Sequence, residues 1–183
     1  FSFSAVTVAR YASAFATGLQ SRGVAASAKH FPGLGSAGTD TDFAHLELHP
    51  TATQRTAALK PYETMIAAGV DPVMASVAGF DAYDPSGTVA ALSRPIVTGL
   101  LRGRLGFSGV VITDALGSST GHDERTAGVL AAAAGSDILL YTDSAPGELP
   151  ALRAALSGGW LSRSQAADSY RRIITLKRTL GLA

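Results

Sequence analysis

The chain has 183 residues, of which 46% are hydrophobic and 16% charged, and its net charge is +1. A chain of this length and apolar content can bury a sizeable core, and one domain is the default expectation. Charges of both signs are scattered, so there is no basic stripe for nucleic acid. The absence of cysteine excludes disulfides, thiolate zinc sites and cysteine nucleophiles but leaves the redox compartment open.

Neither a membrane span nor a targeting segment is visible in the sequence. No stretch approaches the ~18 consecutive apolar residues that a span needs. Residue 1 is Phe, and no charged region followed by an apolar one comes after it. We therefore expect any targeting segment to lie outside these residues.

Hydrophobic periodicity predicts helices that alternate with short apolar strands. The predicted helices cover 5–20, 51–68, 93–103, 123–134, 148–156 and 162–180, and the predicted strands cover 24–28, 72–77, 109–114 and 137–142. Pro61 is expected to kink or split the second helix, and 78–92 to form a long loop. The alternation argues for a parallel sheet. Four strands are half of a (β/α)8 barrel, which typically has ~250 residues, so either the sheet is open or the front of a barrel is absent.

Polar and charged side chains stand at the carboxyl ends of two predicted strands, where α/β folds place their chemistry. Lys29 and His30 follow the first strand, Asp114 ends the third, and Asp40 and Asp42 lie on a glycine-rich loop. Taken singly, Asp114 fits a capping role as well as a catalytic one, and the loop aspartates fit ordinary turn chemistry. Together they offer paired carboxylates, the minimum for glycosidic-bond hydrolysis with one nucleophile and one acid/base.

Two other patterns in the sequence have simpler explanations than a functional site. Residues 33–38 match the G-x-G-x-x-G dinucleotide fingerprint, which requires a helix beginning at about Gly35, whereas the sequence there reads as polar loop. His45 and His49 have the spacing of metal ligands on a helix, but Pro50 follows directly and no acidic third ligand is evident. We expect two solvent-facing histidines there, and no metal or organic cofactor.

Two longer motifs are specific enough to indicate a family. Residues 29–35 read KHFPGLG, with Asp40 five residues beyond, and residues 100–114 read LLRGRLGFSGVVITD. In this combination the chain resembles glycoside hydrolase family 3, in particular its β-N-acetylhexosaminidase branch, over about 5–182. The resemblance implies that 1–183 are one partial catalytic domain with an α/β fold. This would be roughly the C-terminal half of a TIM-type (β/α)8 barrel, with four βα units.

The same resemblance implies a retaining hydrolase of β-glycosidic bonds. The expected substrates are terminal N-acetylglucosaminides such as cell-wall fragments, with β-glucosidase-like activity as the related reaction. Asp114 takes the position of the nucleophile, and Lys29 and His30 take positions that hydrogen-bond substrate hydroxyls. Asp42 or Asp40 is expected to act as the acid/base.

Three positions depart from the family pattern. Leu34 and Asp42 stand where loop histidines are usual, and Ser76 replaces a third histidine at a strand end, where we expect a substrate contact. Asp42 would then be a carboxylic acid/base whose pKa is raised by burial or by Asp114 and Asp40 nearby. The alternative is a catalytically impaired relative that acts as a glycan-binding or structural module.

A half-barrel alone exposes strand edges and a large apolar patch. We therefore expect the missing N-terminal half of the barrel, or self-association, to cover that surface. The expected ligand is a carbohydrate rather than nucleic acid. The residues do not fix the location of the protein, for which we favour the cell envelope or the extracellular space over the cytoplasm.

Overall fold

Helices and short parallel strands alternate along the chain. The computed structural model describes residues 2–41, 44–118, 120–141 and 147–182. The α-helices are α1 (Ala5–Gln20), α2 (Ala52–Ala67), α3 (Glu124–Ala134), α4 (Glu148–Ser157) and α5 (Arg163–Thr179). The strands are β1 (Ala28–Phe31), β2 (Glu47–Leu48), β3 (Val73–Ala75), β4 (Gly79–Phe80) and β5 (Val111–Thr113). A 3₁₀ helix (Ala90–Leu92) and a π-helix (Pro95–Arg104) precede β5.

The predicted helices are confirmed, and the sequence explains where they begin and end. Thr51 and Ser162 each form a capping box with the glutamine three residues further on, which satisfies two backbone N–H groups. The carboxylate of Asp123 caps α3. Gly135, with a φ of 111°, ends α3 in the left-handed conformation that glycine adopts without strain. The helix predicted after residue 93 forms as a π-helix.

The expected split at Pro61 does not occur. α2 runs from Ala52 to Ala67 as one helix with Pro61 inside it. Proline removes one backbone hydrogen bond from a helix. Here Pro61 is buried, and buried side chains precede and follow it on the same helix, including Leu59 and Met65. Packing against the core therefore holds the two parts of the helix together.

The main sheet is parallel, with strand order β1-β3-β5. Residues 73–75 of β3 pair in register with 111–113 of β5, and Phe31 pairs with Ala75. A parallel bridge between Ile112 and Ile138 continues this arrangement beyond β5. Parallel strands place all their carboxyl ends at one edge, so the residues that follow β1, β3 and β5 lie near one another.

The first strand begins later than predicted. β1 covers Ala28–Phe31 rather than 24–28, and Val24 is half exposed. Pairing starts where the Ala28 N–H donates to the Pro72 carbonyl at 3.1 Å, because the partner strand begins only at Val73. Lys29 and His30 therefore lie within the strand and not after it.

The fourth predicted strand, 137–142, is also reduced. Its regular pairing is the bridge at Ile138, and Thr142 lies outside the described residues. The Leu140 N–H donates to the Thr113 hydroxyl at 2.9 Å, so a side chain takes the place of a backbone carbonyl partner. The described part of this segment runs beside β5 but forms no continuous ladder with it.

The long loop predicted over 78–92 is only partly a loop. β4 pairs in parallel with β2, and the 3₁₀ helix closes the segment. The buried Asp84 carboxylate accepts hydrogen bonds from the hydroxyls of Ser86 and Ser93, both at 2.6 Å. Burial tends to raise the pKa of Asp84, but hydrogen bonds from these two serines outweigh it and lower that pKa. Short ladders and this carboxylate order the segment, and neither has a local sequence signal.

The core lies between the sheet, α2 and the π-helix. The rings of Phe31 and Tyr62 meet edge to face, with centroids 5.0 Å apart and planes at 89°. Alternate residues of the sheet differ in exposure: the side chains of β3 and β5 that face the helices are fully buried, whereas Met74 and Ile112 between them are partly exposed. The face of Met74 and Ile112 is therefore the more open one.

An apolar groove of about 790 Å³ lies along α1, α2 and the outer side of β1. Phe15 lines it and is 61% exposed. Among the described strands, β1 has β3 as its one ladder partner. This is the kind of apolar surface predicted for half of a barrel. No helix in the described part of the chain is long and apolar enough to cross a membrane.

A buried ionic cluster ties the carboxy-terminal helix to the sheet. The Asp137 side chain has no exposed surface and accepts from Arg102 of the π-helix at 2.6 Å and from Arg172 of α5 at 2.8 Å. It also accepts from the Val111 N–H at 2.9 Å. One carboxylate thus joins three elements at the amino end of β5.

We predict that Asp137→Ala lowers the free energy of unfolding by about 3–5 kcal/mol, because it leaves two partly buried guanidinium groups without their counter-ion. Asp168→Ala removes an exposed ion pair with Arg171 on the same helix and should cost at most about 1 kcal/mol. Urea unfolding of both variants checks the difference. Equal losses would show that the buried cluster contributes no more than a surface pair.

Candidate active site

Asp114 is the best-defined of the predicted site residues. Its backbone N–H donates to the Ala75 carbonyl at 2.8 Å, and its Oδ1 accepts from the Ala115 N–H at 2.9 Å. The side chain is 12% exposed. The carboxylate therefore stands at the carboxyl end of β5, as predicted, and is held by a rigid strand.

The structure brings His30 to Asp114. Nε2 of His30 lies 3.5 Å from Oδ2 of Asp114, and the imidazole is 27% exposed. The two residues belong to β1 and β5, which have β3 between them. The ends of β1 and β5 therefore meet through these two side chains.

The loop after β1 carries the other predicted carboxylates. Asp40 is exposed, and Asp42 lies outside the described residues. Gly33 has a φ of 128°, and a Cβ there would stand 2.9 Å from the Ala58 methyl group, so the loop passes close against α2 where only glycine fits. Residues 33–41 contain no helix. The dinucleotide fingerprint hypothesis, which needs a helix from about Gly35, is wrong.

The remaining predicted substrate ligands differ in exposure. Lys29 is exposed on β1 beside His30. Ser76, immediately after β3, has no exposed surface, and its hydroxyl has no hydrogen-bond partner among the described residues. The substrate contact expected at Ser76 stays a prediction, and in this structure the side chain is enclosed by its neighbours.

One ion pair was missed by sequence reasoning. Nδ1 of His49 lies 2.7 Å from Oδ2 of Asp81, at the carboxyl ends of β2 and β4. The hydrogen bond and the charge of Asp81 raise the pKa of His49, and the same hydrogen bond lowers the pKa of Asp81. The partners are 32 residues apart and meet through two-residue strands, so no local pattern indicates them.

This arrangement does not support a metal site at His45 and His49. His49 is solvent-facing, as expected, but it is paired with a carboxylate. Within the described ranges, no group of three or more histidine, aspartate or glutamate side chains is placed to hold a metal ion.

Comparison with known proteins decides the family. The model of the glycosyl hydrolase family 3 N terminal domain matches residues 1–176. The chain belongs to glycoside hydrolase family 3. The resemblance stated from the two sequence motifs is thereby confirmed.

Individual relatives agree with the family assignment. An uncharacterized secreted glycosyl hydrolase of Arthroderma benhamiae is 42% identical over 92% of this chain and 50% of its own length. A β-N-acetylglucosaminidase/β-glucosidase of Cellulomonas fimi is 31% identical over 100% of this chain and 35% of its own length. The structure of a family 3 β-N-acetylglucosaminidase from Paenibacillus sp. str. FPU-7 superimposes with a TM-score of 0.94 and 35% identity, covering 98% of this chain and 35% of that one.

The superposition confirms a TIM-barrel-type fold. The chain spans half or less of the length of the relatives named above. It therefore contains part of what those longer proteins contain.

We predict that the His49 ring titrates above its ordinary pKa of 6.5 and that Asp81→Asn moves the titration back toward that value. The pair stabilises the fold above the lowered pKa of Asp81, and that stabilisation is lost as the pH rises through the raised pKa of His49. Glu47→Gln is the matched control, because the charge of Glu47 makes the smallest contribution to the raised pKa of His49. The pKa of the His49 ring is measured by NMR titration in the wild type and in both variants. An unchanged midpoint in Asp81→Asn would contradict the pairing.

Proposed function

We propose that the chain carries the nucleophile side of a retaining β-glycosidase site. The observation that supports this best is the placement of Asp114: a nearly buried carboxylate, fixed at the carboxyl end of the parallel strand β5, with an imidazole 3.5 Å away. Family 3 membership supports the same reaction class. TIM-type barrels place their catalytic groups at the carboxyl ends of the strands.

Asp114 would attack the anomeric carbon of the substrate. A bond forms between carboxylate oxygen and that carbon as the glycosidic bond breaks, and the leaving oxygen takes a proton from the acid/base. Water then attacks the glycosyl-enzyme, gives its proton to the same acid/base group and releases Asp114. His30 and Lys29 would hold sugar hydroxyls, since His30 contacts Asp114 and Lys29 is exposed beside His30 on β1.

We propose Asp42 as the acid/base. Asp40, two residues earlier in the sequence, is the alternative. A carboxylic acid in this role must be protonated at working pH, which burial or a neighbouring carboxylate promotes by raising its pKa. Asp40 is exposed in the structure.

The proposed substrates are terminal β-N-acetylglucosaminides of cell-wall type, with β-glucosides as the second choice. The support is the pair of relatives named β-N-acetylglucosaminidase, one of which is also named β-glucosidase. A relative described as secreted supports an extracellular location.

A second candidate is a glycan-binding or structural module that has lost hydrolysis. It is favoured by Leu34 and Asp42, which stand in place of the usual loop histidines, and by the enclosed Ser76. Such a module would keep His30 and Lys29 as sugar ligands. Turnover distinguishes the two functions.

The apolar groove along α1 and β1 is proposed to be covered by polypeptide beyond 1–183 or by a second copy of the chain. Relatives two to three times as long as this chain support the first occupant. The outer edge of β1 is the natural position for a further barrel strand, because an uncovered parallel edge is rare in folded proteins.

We predict that Asp114→Asn lowers kcat on a chromogenic β-N-acetylglucosaminide by roughly a thousandfold or more, because an amide cannot act as the nucleophile. The assay uses the protein in its full natural length. Asp168→Asn on α5 is the control and should retain full activity. Turnover by the Asp114 variant at the wild-type rate would remove the assignment, and no turnover by the wild type on several β-glycosides would favour the binding module.

We predict that Asp42→Asn slows substrates with poor leaving groups far more than activated aryl glycosides. The reason is that a general acid matters most when the leaving oxygen needs a proton. Asp40→Asn is the matched comparison on the same loop. Equal loss on both substrate types would show that Asp42 positions substrate and does not deliver the proton, and the selective loss in Asp40→Asn instead would transfer the role to Asp40.

A further inference from the structure

Ser76 directly follows β3, the strand between the two members of the His30–Asp114 pair. β3 separates β1 from β5, Ala75 pairs with Thr113, and the next residue along each strand is Ser76 and Asp114. Residues paired in neighbouring strands point to the same face. Ser76 and Asp114 therefore share the open face of the sheet.

His30 reaches the same face from the other side. The register of β1 against β3 is irregular between Ala28 and Phe31, so the position of His30 is given by its contact with Asp114 and not by strand alternation. Neighbouring strands are about 4.8 Å apart, which separates β1 from β5 by roughly 10 Å. Contact at 3.5 Å between Nε2 and Oδ2 requires both side chains to lean over β3. Position 76 directly follows β3, the strand that lies between these two residues.

We propose that Ser76 is a positioning residue whose small volume lets His30 reach the Asp114 carboxylate. Ser76 has no exposed surface, so a larger side chain has no solvent to enter. Its backbone is held on both sides, with its N–H donating to Phe31 at 2.9 Å and its carbonyl accepting from Ala91 at 2.8 Å. Added volume at this position must therefore displace His30, Asp114 or both. The catalytic consequence rests on the proposed function, whereas the geometric one does not.

Volume, and not the hydroxyl, is what the position requires. The Ser76 hydroxyl has no hydrogen-bond partner among the described residues, although it is buried. An unpaired buried hydroxyl is a cost to the fold, and its removal leaves nothing unpaired behind. Alanine should therefore serve at this position as well as serine in holding the pair together.

Three variants separate the two explanations: Ser76→Ala removes the hydroxyl, Ser76→Val adds volume without it, and Ser76→Thr adds the same volume with it. We expect the His30 ring signals in NMR spectra to stay unchanged in the alanine variant and to shift in both larger variants. In the full-length protein, kcat should fall about tenfold to a hundredfold in both larger variants with a smaller change in KM, because a nucleophile displaced by about 1 Å loses rate at that scale.

A double-mutant cycle shows whether the effect passes through His30. Adding Ser76→Val to His30→Gln should cost little beyond His30→Gln alone, since the contact is already lost. Unshifted ring signals in the threonine and valine variants would overturn the proposal, as would loss of the pair in the alanine variant alone. If the wild type has no turnover, the proposed function fails but the NMR comparison still decides the role of Ser76.

Discussion

The register of β3 between β1 and β5 is the constraint on which the site depends. Backbone hydrogen bonds from both neighbours fix where the three strands end, and those ends carry His30, Ser76 and Asp114. A shift of one residue would turn each side chain to the opposite face. Asp114 is therefore placed by the sheet ladder and needs little from the loops around it.

The amino end of β5 is held as firmly as its carboxyl end. Asp137 binds Arg102 and Arg172, and its carboxylate also accepts a hydrogen bond from the Val111 N–H. The first residue of β5 is therefore hydrogen-bonded to the ionic cluster. Asp71 accepts from the Val110 N–H nearby, and burial raises the pKa of this carboxyl. The strand that ends in Asp114 thus begins in a set of charge-assisted hydrogen bonds, which are the stronger kind.

Elements with a local signal were predictable and those made by distant pairing were not. Capping residues and apolar periodicity located α3 and α5 within a residue or two, and two motifs located the family. The start of β1 depends on where β3 begins, and β2 with β4 forms from two-residue segments far apart in sequence. Asp114 was found because a β-branched run ends in it. The His49–Asp81 pair has no comparable signal.

The two halves of the proposed chemistry are anchored unequally. Asp114 sits on a ladder residue, whereas residues 33–41 form a loop whose one backbone hydrogen bond within itself joins the Ala37 N–H to the Leu34 carbonyl in the described part of that loop. Substitution of a loop side chain leaves the strand ends in place, whereas added volume directly after a strand is expected to move the side chains beside it. A loop position such as Leu34 can therefore change without disturbing the sheet. At position 76, by contrast, a larger side chain is proposed to act on Asp114 itself, because Ser76 directly follows the strand between His30 and Asp114.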